Sequence, residues 1–234
     1  MKRIKIPSDL TSLAYNNIKQ HILEGRLHYD SRLTEAMLSK QLGISRSPIR
    51  EALNSLEKEG LIRIEPRKGA FLRRFSIKEV GDLYDLRKIL EISAVQTVRV
   101  TPKLVADLEK SVERIGGFLK ENRKDAFISE DMWFHNSIAI ASGNLQLCMV
   151  LENVQNQIWL CRCHTYSLSS STAPRAHGSI VEALKQGDHT KATDAMGTHI
   201  EYVRQQLIYS LHRQQSSQPT IPEEGALGLD QSSK

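Results

Sequence analysis

No stretch of the 234 residues approaches the run of about 18 apolar positions that a membrane-spanning helix needs, so no span is expected. Residues 1–10 are charged and lack the apolar core of an export signal, which points to a cytoplasmic chain. Cysteine is scarce. Cys148, Cys161 and Cys163 are odd in number and all lie in the second half, which fits a reducing cytosol better than a disulfide scaffold. Enzyme signatures are also missing: there is no H-E-x-x-H, no G-x-S-x-G and no phosphate-binding glycine loop. No internal repeat is present. What remains is ordinary for a globular protein, 40% hydrophobic and 25% charged, with length for one large or two modest domains.

The net charge of +5 is unevenly spread. Residues 1–75 carry 15 Lys and Arg against 8 Asp and Glu, a balance of +7, while the remainder stands at −2. A basic first third suggests a polyanionic partner for that part of the chain.

Periodicity divides the chain near residue 75. After a short basic arm over 1–7, apolar residues at helical spacing predict a helix over 8–27, with Gly25 as its breaker. Thr34 is placed to cap a second helix through Leu42. A third helix opens at Ser45 or Ser47, tolerates Pro48 in its first turn, and stops at Gly60. Two short strands follow, over 61–64 and 70–72, with Pro66 and Gly69 in the turn between them. From there on only helical signals recur. The capping box Ser76-Ile77-Lys78-Glu79 opens a helix to about Val100, and others are expected over 101–122, 125–142, 145–166, 174–186 and 189–213. The expected architecture is mainly α: a winged helix-turn-helix domain over 1–75, an all-helical bundle over 76–213, and a Ser-, Gln- and Pro-rich disordered tail over 214–234.

In a winged helix the second helix of the pair lies in the major groove of double-stranded DNA, its N-terminal residues facing bases and phosphates. Ile49, Ala52, Leu53 and Leu56 form an apolar stripe that must face the core, which leaves Ser45, Arg46, Ser47 and Arg50 outward. The two arginines suit guanine or phosphate, and the serine hydroxyls suit phosphate. Arg67, Lys68 and Gly69 at the wing tip form a second candidate contact, at or beside a minor groove.

The second half holds polar residues where apolar ones are expected. Arg87 and Glu91 interrupt the apolar face of Val80, Leu83, Tyr84, Leu90, Ala94, Val95 and Val98. Two readings stay open: an ordinary i, i+4 bridge, or an arginine held by Glu91 and offered to an anionic ligand. Asp131 and His135 share an inward stripe with Phe127, Phe134 and Ile138; His177 and His199 each sit on an inward stripe of their own. A single such histidine is commonly a satisfied core residue. Three with an aspartate, on different helices, point to a metal centre for Zn²⁺, Ni²⁺, Fe²⁺ or Mn²⁺, in no order the sequence decides. Cys161 and Cys163 read as core residues rather than ligands, because alternate positions on a helix diverge. Arg162 or His164 is a candidate for the pocket lining. Trp133 and Trp159 read as core, His189 and His212 as surface, and Asp188 as a helix cap.

The stretch Gly43-Ile44-Ser45-Arg46-Ser47-Pro48-Ile49-Arg50-Glu51-Ala52-Leu53, with Glu59-Gly60-Leu61-Ile62, closely resembles the GntR family of bacterial regulators. Arg87…Glu91, Asp131-Met132-Trp133-Phe134-His135, Ser142-Gly143-Asn144, His177…Gly187-Asp188 and Met196…His199-Ile200 resemble the FCD effector domain of the FadR subfamily. The resemblance implies DNA contacts at Arg46 and Arg50, a metal site at Asp131, His135, His177 and His199, effector contacts at Arg87, Glu91 and Asn144, homodimers on palindromic operators, and small carboxylate effectors. Many members are repressors released by effector, and some are activators. Some fatty-acid-responsive members carry a DNA-contacting arginine where Ala36 stands here, so no operator sequence transfers. A metal-dependent hydrolase using the Asp/His cluster is the competing reading, weakened by the lack of an additional inward base; a nucleoid-type DNA binder would have no use for inward histidines.

Overall fold

A computed structural model describes residues 8–27, 31–162 and 170–216. Three helices come first: α1 (Ser8–Leu23), α2 (Glu35–Leu42) and α3 (Arg46–Lys58). Helix α2 starts at Thr34, whose hydroxyl accepts the Met37 N–H at 3.1 Å. Such a cap contributes about 1 kcal/mol. Ile49, Ala52, Leu53 and Leu56 of α3 are buried, as the stripe demands, while Ser45, Arg46, Ser47 and Arg50 are exposed. Ser45 occupies the N-cap position without a side-chain capping bond.

Strands β1 (Ile62–Glu65) and β2 (Gly69–Leu72) pair antiparallel, with Ile62 opposite Leu72 and Glu65 opposite Gly69. Leu33 adds a third line to this small sheet: its N–H and carbonyl both bond Ala70, at 2.8 Å each. That bridge explains Gly69. A Cβ there would lie 2.7 Å from the Leu33 carbonyl oxygen, and its φ of 109° is closed to most side chains. At the wing tip the Lys68 N–H bonds the Glu65 carbonyl at 3.0 Å, and Arg67, rather than a glycine, takes the left-handed position with φ 64°.

Six longer helices follow among the described residues: α4 (Ile77–Thr97), α5 (Pro102–Lys120), α6 (Lys124–Ala141), α7 (Leu145–Arg162), α8 (Ala173–Lys185), preceded by a short 3₁₀ turn, and α9 (His189–Ser216). The expected capping box at α4 is present, with Ser76 and Glu79 bonded reciprocally. Thr101 caps α5 through the Leu104 N–H, and Asp188 caps α9 through the Lys191 N–H. Helix α4 packs along α7 and α9, and α5 along α6 and α8. Among the described residues no helix is long and apolar enough to cross a membrane. The basic arm, most of the tail, Cys163 and His164 fall outside the described residues.

Two expectations about aromatic and imidazole side chains are corrected. Trp133 is not core: it is 41% exposed and lies under the Arg114 guanidinium. Position 133 adjoins the inward Phe134, and the helical rotation between neighbours turns it out to solvent. His189 is half-buried rather than a surface residue, its Nδ1 2.9 Å from the Val95 carbonyl oxygen, which ties the start of α9 to α4.

Among the described residues, buried apolar side chains form two clusters. One fills the bundle, from Val80 and Tyr84 through Phe134 and Leu151 to Ile200 and Leu207. The other does not stop at residue 75. It joins the winged-helix core (Ile18, Ile22, Leu33, Ile49, Leu56, Leu72) to Ile115, Phe127, Ile128, Trp159, Leu160 and Ala173 of the bundle. Trp159 makes the junction visible: a Cβ on Gly25 would meet its ring at 3.8 Å.

Candidate metal centre and nucleic-acid interface

The four polar residues expected inside the bundle come together there. Asp131 and His135 project from α6, His177 from α8 and His199 from α9, all buried, and one candidate ligand atom from each lies within 4.8 Å of all the others. His177 Nε2 stands 3.2 Å from His199 Nε2 and 3.5 Å from Asp131 Oδ1. Ligand bonds of about 2.0–2.1 Å at octahedral to tetrahedral angles require ligand atoms about 2.9–3.4 Å apart, so the His177–His199 pair already stands at such a separation, while the set as a whole, within 4.8 Å, must draw in to close on an ion. The surroundings agree. Asp131 Oδ1, His135 Nε2 and the Nδ1 atoms of His177 and His199 have no hydrogen-bond partner although buried, a costly condition for polar atoms. Burial pushes the His177 imidazolium down to about 3 and His199 well below the usual range, so both rings are neutral, the form that binds metal.

Around the four lies a frame of opposite charges. Arg87 and Glu91, read as either bridge or ligand contact, are 2% and 1% exposed and bonded at 2.5 Å from Arg87 Nε to Glu91 Oε1. The other Glu91 oxygen sits against His135 Nδ1. Burial alone would raise the Glu91 carboxyl, but the Arg87 charge and His135 more than offset it and hold it at about 2. Asp131 likewise stays ionised against its burial because Arg162 donates from Nη1 to its Oδ2 at 2.5 Å. A carboxylate accepts but does not donate, so the proton on His135 Nδ1 faces Glu91, and a neutral, metal-binding ring then has its lone pair on Nε2.

A small cavity adjoins this frame, lined by Arg87, Asp131 and Arg162 with Gln155, Trp159, Ile128, Met132 and Ile158. Its free volume, about 10 Å³, holds about one water molecule. Asn144 is not part of it: it is exposed at the start of α7, where its Oδ1 accepts the Leu147 N–H at 3.1 Å. Sequence reasoning missed Gln155 and the cavity-facing role of Trp159. A signal was present, since positions 155, 158, 159 and 162 form one i, i+3, i+4, i+7 stripe with an amide and a guanidinium among apolar residues. Cys161 is buried and bonds the Gln157 carbonyl at 3.5 Å, as a core residue does.

On the other domain, Arg46 and Arg50 stand on the exposed start of α3. Arg50 is held by Glu35 of α2 through Nε and Nη2, both at 2.7 Å. Arg67 and Lys68 are exposed at the wing tip, with Lys68 Nζ 3.2 Å from Glu65.

A winged helix with a basic outer face, joined to a helical bundle with a buried ligand-type centre, defines the class of a transcriptional regulator. Comparison with known proteins gives the family. Residues 10–72 match the family described as "Bacterial regulatory proteins, gntR family", and residues 82–202 match the FCD domain. The chain is 31% identical over 193 residues to the "Uncharacterized HTH-type transcriptional regulator YdhC" of Bacillus subtilis (strain 168), covering 80% of this chain and 86% of that one. It is 31% identical over 140 residues to the "Gluconate operon transcriptional repressor" of Bacillus licheniformis, 59% of this chain and 57% of that one. A putative transcriptional regulator GntR from Rhodococcus sp. RHA1 superposes with a TM-score of 0.74 at 20% identity, covering 86% of this chain and 98% of that one. The E. coli protein McbR/YncC follows at 0.71 and 21%, covering 88% and 99%. This chain therefore belongs to the GntR family of DNA-binding transcriptional regulators and carries an FCD domain, as in the FadR-like subfamily. These relatives and neighbours are regulators, not enzymes, and nothing among them supports the hydrolase reading.

Proposed function

We propose that this regulator represses transcription as a homodimer on a palindromic operator in the cytoplasm, and lets go when a small carboxylate binds beside a divalent metal ion in the FCD domain. The observation that carries the reading is the convergence of four buried ligand-type side chains, one of which, Asp131, also lines a small cavity whose wall, Trp159 and Ile128, belongs to the same apolar cluster as the DNA-binding domain.

Asp131, His135, His177 and His199 are the residues that would hold the ion, and Zn²⁺, Ni²⁺, Fe²⁺ and Mn²⁺ all accept this donor set. When bound, the ion supplies a Lewis-acidic anchor for a ligand oxygen. Charge balance favours an anionic ligand. Two buried guanidiniums, Arg87 and Arg162, cancel two buried carboxylates, Glu91 and Asp131, so a divalent cation leaves the interior two positive charges in excess. One relative's name connects it to a gluconate operon, and gluconate is itself a carboxylate.

Coupling to DNA follows from the size of the cavity. Room for about one water does not admit a carboxylate, so its wall must shift, and Trp159 and Ile128 cannot shift without disturbing the packing of the winged helix. Two winged helices in a dimer must match a fixed half-site spacing, so a small change in their seating costs affinity. Ser45, Arg46, Ser47 and Arg50 serve as the major-groove contacts, with Arg67, Lys68 and Gly69 at the wing. Exposed Leu86 and Ile89 on α4 and exposed Met149 and Val150 on α7, a helix packed against α4, support a partner copy on the bundle.

Elemental analysis of the purified full-length protein tests the reading. About one transition metal per chain is expected, lost in His177→Ala and His199→Ala variants whose circular dichroism remains helical. Wild-type protein that takes up no metal, or variants that keep full occupancy, would overturn the assignment.

A further inference from the structure

Gln155 is the one cavity-lining residue whose whole functional group lacks a partner. It projects from α7 into the cavity, is 3% exposed, and neither its Nε2 nor its Oε1 makes a hydrogen bond. The Arg162 Nε in the same lining is also unbonded. No protein group meets this amide, and a ligand that displaces the one water the cavity has room for must meet it instead or leave each unmet group at a cost of about 1–3 kcal/mol. A leucine of similar volume would pack there without that cost.

The chemistry of the lining limits what meets it. The guanidiniums of Arg87 and Arg162 offer donors and positive charge, which a carboxylate satisfies. A carboxylate cannot satisfy Gln155, because the amide oxygen requires a donor. An ammonium donates to the amide oxygen but accepts nothing from the amide nitrogen. A hydroxyl does both, donating to Oε1 and accepting from Nε2.

We infer that Gln155 is a specificity-determining residue that recognises a hydroxyl group on the effector, so that the effector is a hydroxy-carboxylate rather than a plain or an amino acid. The inference rests on the effector-site reading above and narrows its ligand class.

Matched triads separate the possibilities: malate, succinate and aspartate; lactate, propionate and alanine; gluconate, with hexanoate and a C6 amino acid. Each is titrated calorimetrically into zinc-supplemented full-length protein and checked by thermal shift. In at least one triad the hydroxy acid is expected to bind at least about tenfold more tightly than both analogues. In Gln155→Leu that preference collapses to within about threefold, while the plain acid binds as in wild type. Without ligand, Gln155→Leu is expected to melt no lower than wild type, since no protein group is bonded to the amide. Gln155→Met repeats the comparison with a more adaptable side chain.

Equal binding of hydroxy and plain acids overturns the inference, and so does preference for the amino acid. Lower ligand-free stability in both variants would also overturn it, by showing that the amide serves the fold. If no acid of any kind binds or raises the melting temperature, the effector-site reading itself fails, and this inference with it.

Discussion

Glu91→Gln is nearly isosteric, yet it should cripple metal binding. Glu91 now uses one oxygen to accept from Arg87 Nε, at 2.5 Å, and sets the other against His135 Nδ1. A glutamine has only one oxygen to give. Turned toward Arg87, its amide hydrogens oppose His135 Nδ1, which must then present its lone pair there and move its proton to Nε2, the atom needed by the metal. Turned toward His135, the same hydrogens face the Arg87 N–H in a buried site. Loss of such outer partners typically costs about 10–100-fold in metal affinity, or about 1.4–2.7 kcal/mol. Competition for zinc against a chelating dye reads that loss, and long-range ¹H–¹⁵N spectra of the metal-free protein read which His135 nitrogen carries the proton. The double variant Arg87→Met/Glu91→Gln removes the opposed donor, frees the glutamine oxygen for His135 and should recover most of the affinity. Unchanged zinc affinity in Glu91→Gln, or a wild-type His135 protonated on Nε2, would refute the reasoning.

Three further outcomes follow from the same geometry. Arg50→Ala should weaken operator binding by about 1–3 kcal/mol, whereas Glu35→Gln, which releases Arg50 from its 2.7 Å bonds, should strengthen it by up to about fivefold; equal affinities in anisotropy titrations would remove Arg50 from the interface. Gly69→Ala sets a methyl 2.7 Å from the Leu33 carbonyl oxygen at a φ of 109° and should destabilise the protein by about 1–3 kcal/mol in urea, with unchanged unfolding counting against the wing register. In chelator-treated protein, burial holds the folded pKa of His177 at about 3 and that of His199 well below 6.5, so below about pH 6.5 the unfolded chain takes up protons that the native one refuses. Stability should therefore fall on acidification by up to about 1.4 kcal/mol per pH unit for each ring, and the slope should flatten in the His177→Gln/His199→Gln variant.

The parts legible in the sequence were those set by local rules. Thr34, Ser76 and Thr101 announce helix starts because a hydroxyl beside the unbonded N–H groups of a first turn has one favourable place to go. The stripe at 49, 52, 53 and 56 assigns the inner face of α3, and thereby its outer face. The inward histidines showed because each broke an apolar period. Long-range packing was not legible. Gly69 reads as a wing-tip candidate for DNA; that it also clears the Leu33 backbone is a contact no local pattern records. Glu91 looked like a partner for Arg87 or for a ligand; its place against His135 depends on how α4 meets α6. Asn144 stands at the start of α7 as a helix cap, away from the cavity. Trp133 and Trp159 look alike in composition, yet one faces solvent and the other joins two domains.

The direct trial of the whole account is the dissociation constant for a labelled duplex from the protein's own promoter region, measured on metal-loaded protein with and without the acid that most raises its melting temperature. Saturating acid is expected to weaken DNA binding by about 5–150-fold, and by less in Trp159→Phe, where the shared wall is thinned. An identical constant in both conditions would contradict the claim that the buried Asp/His site communicates with the winged helix.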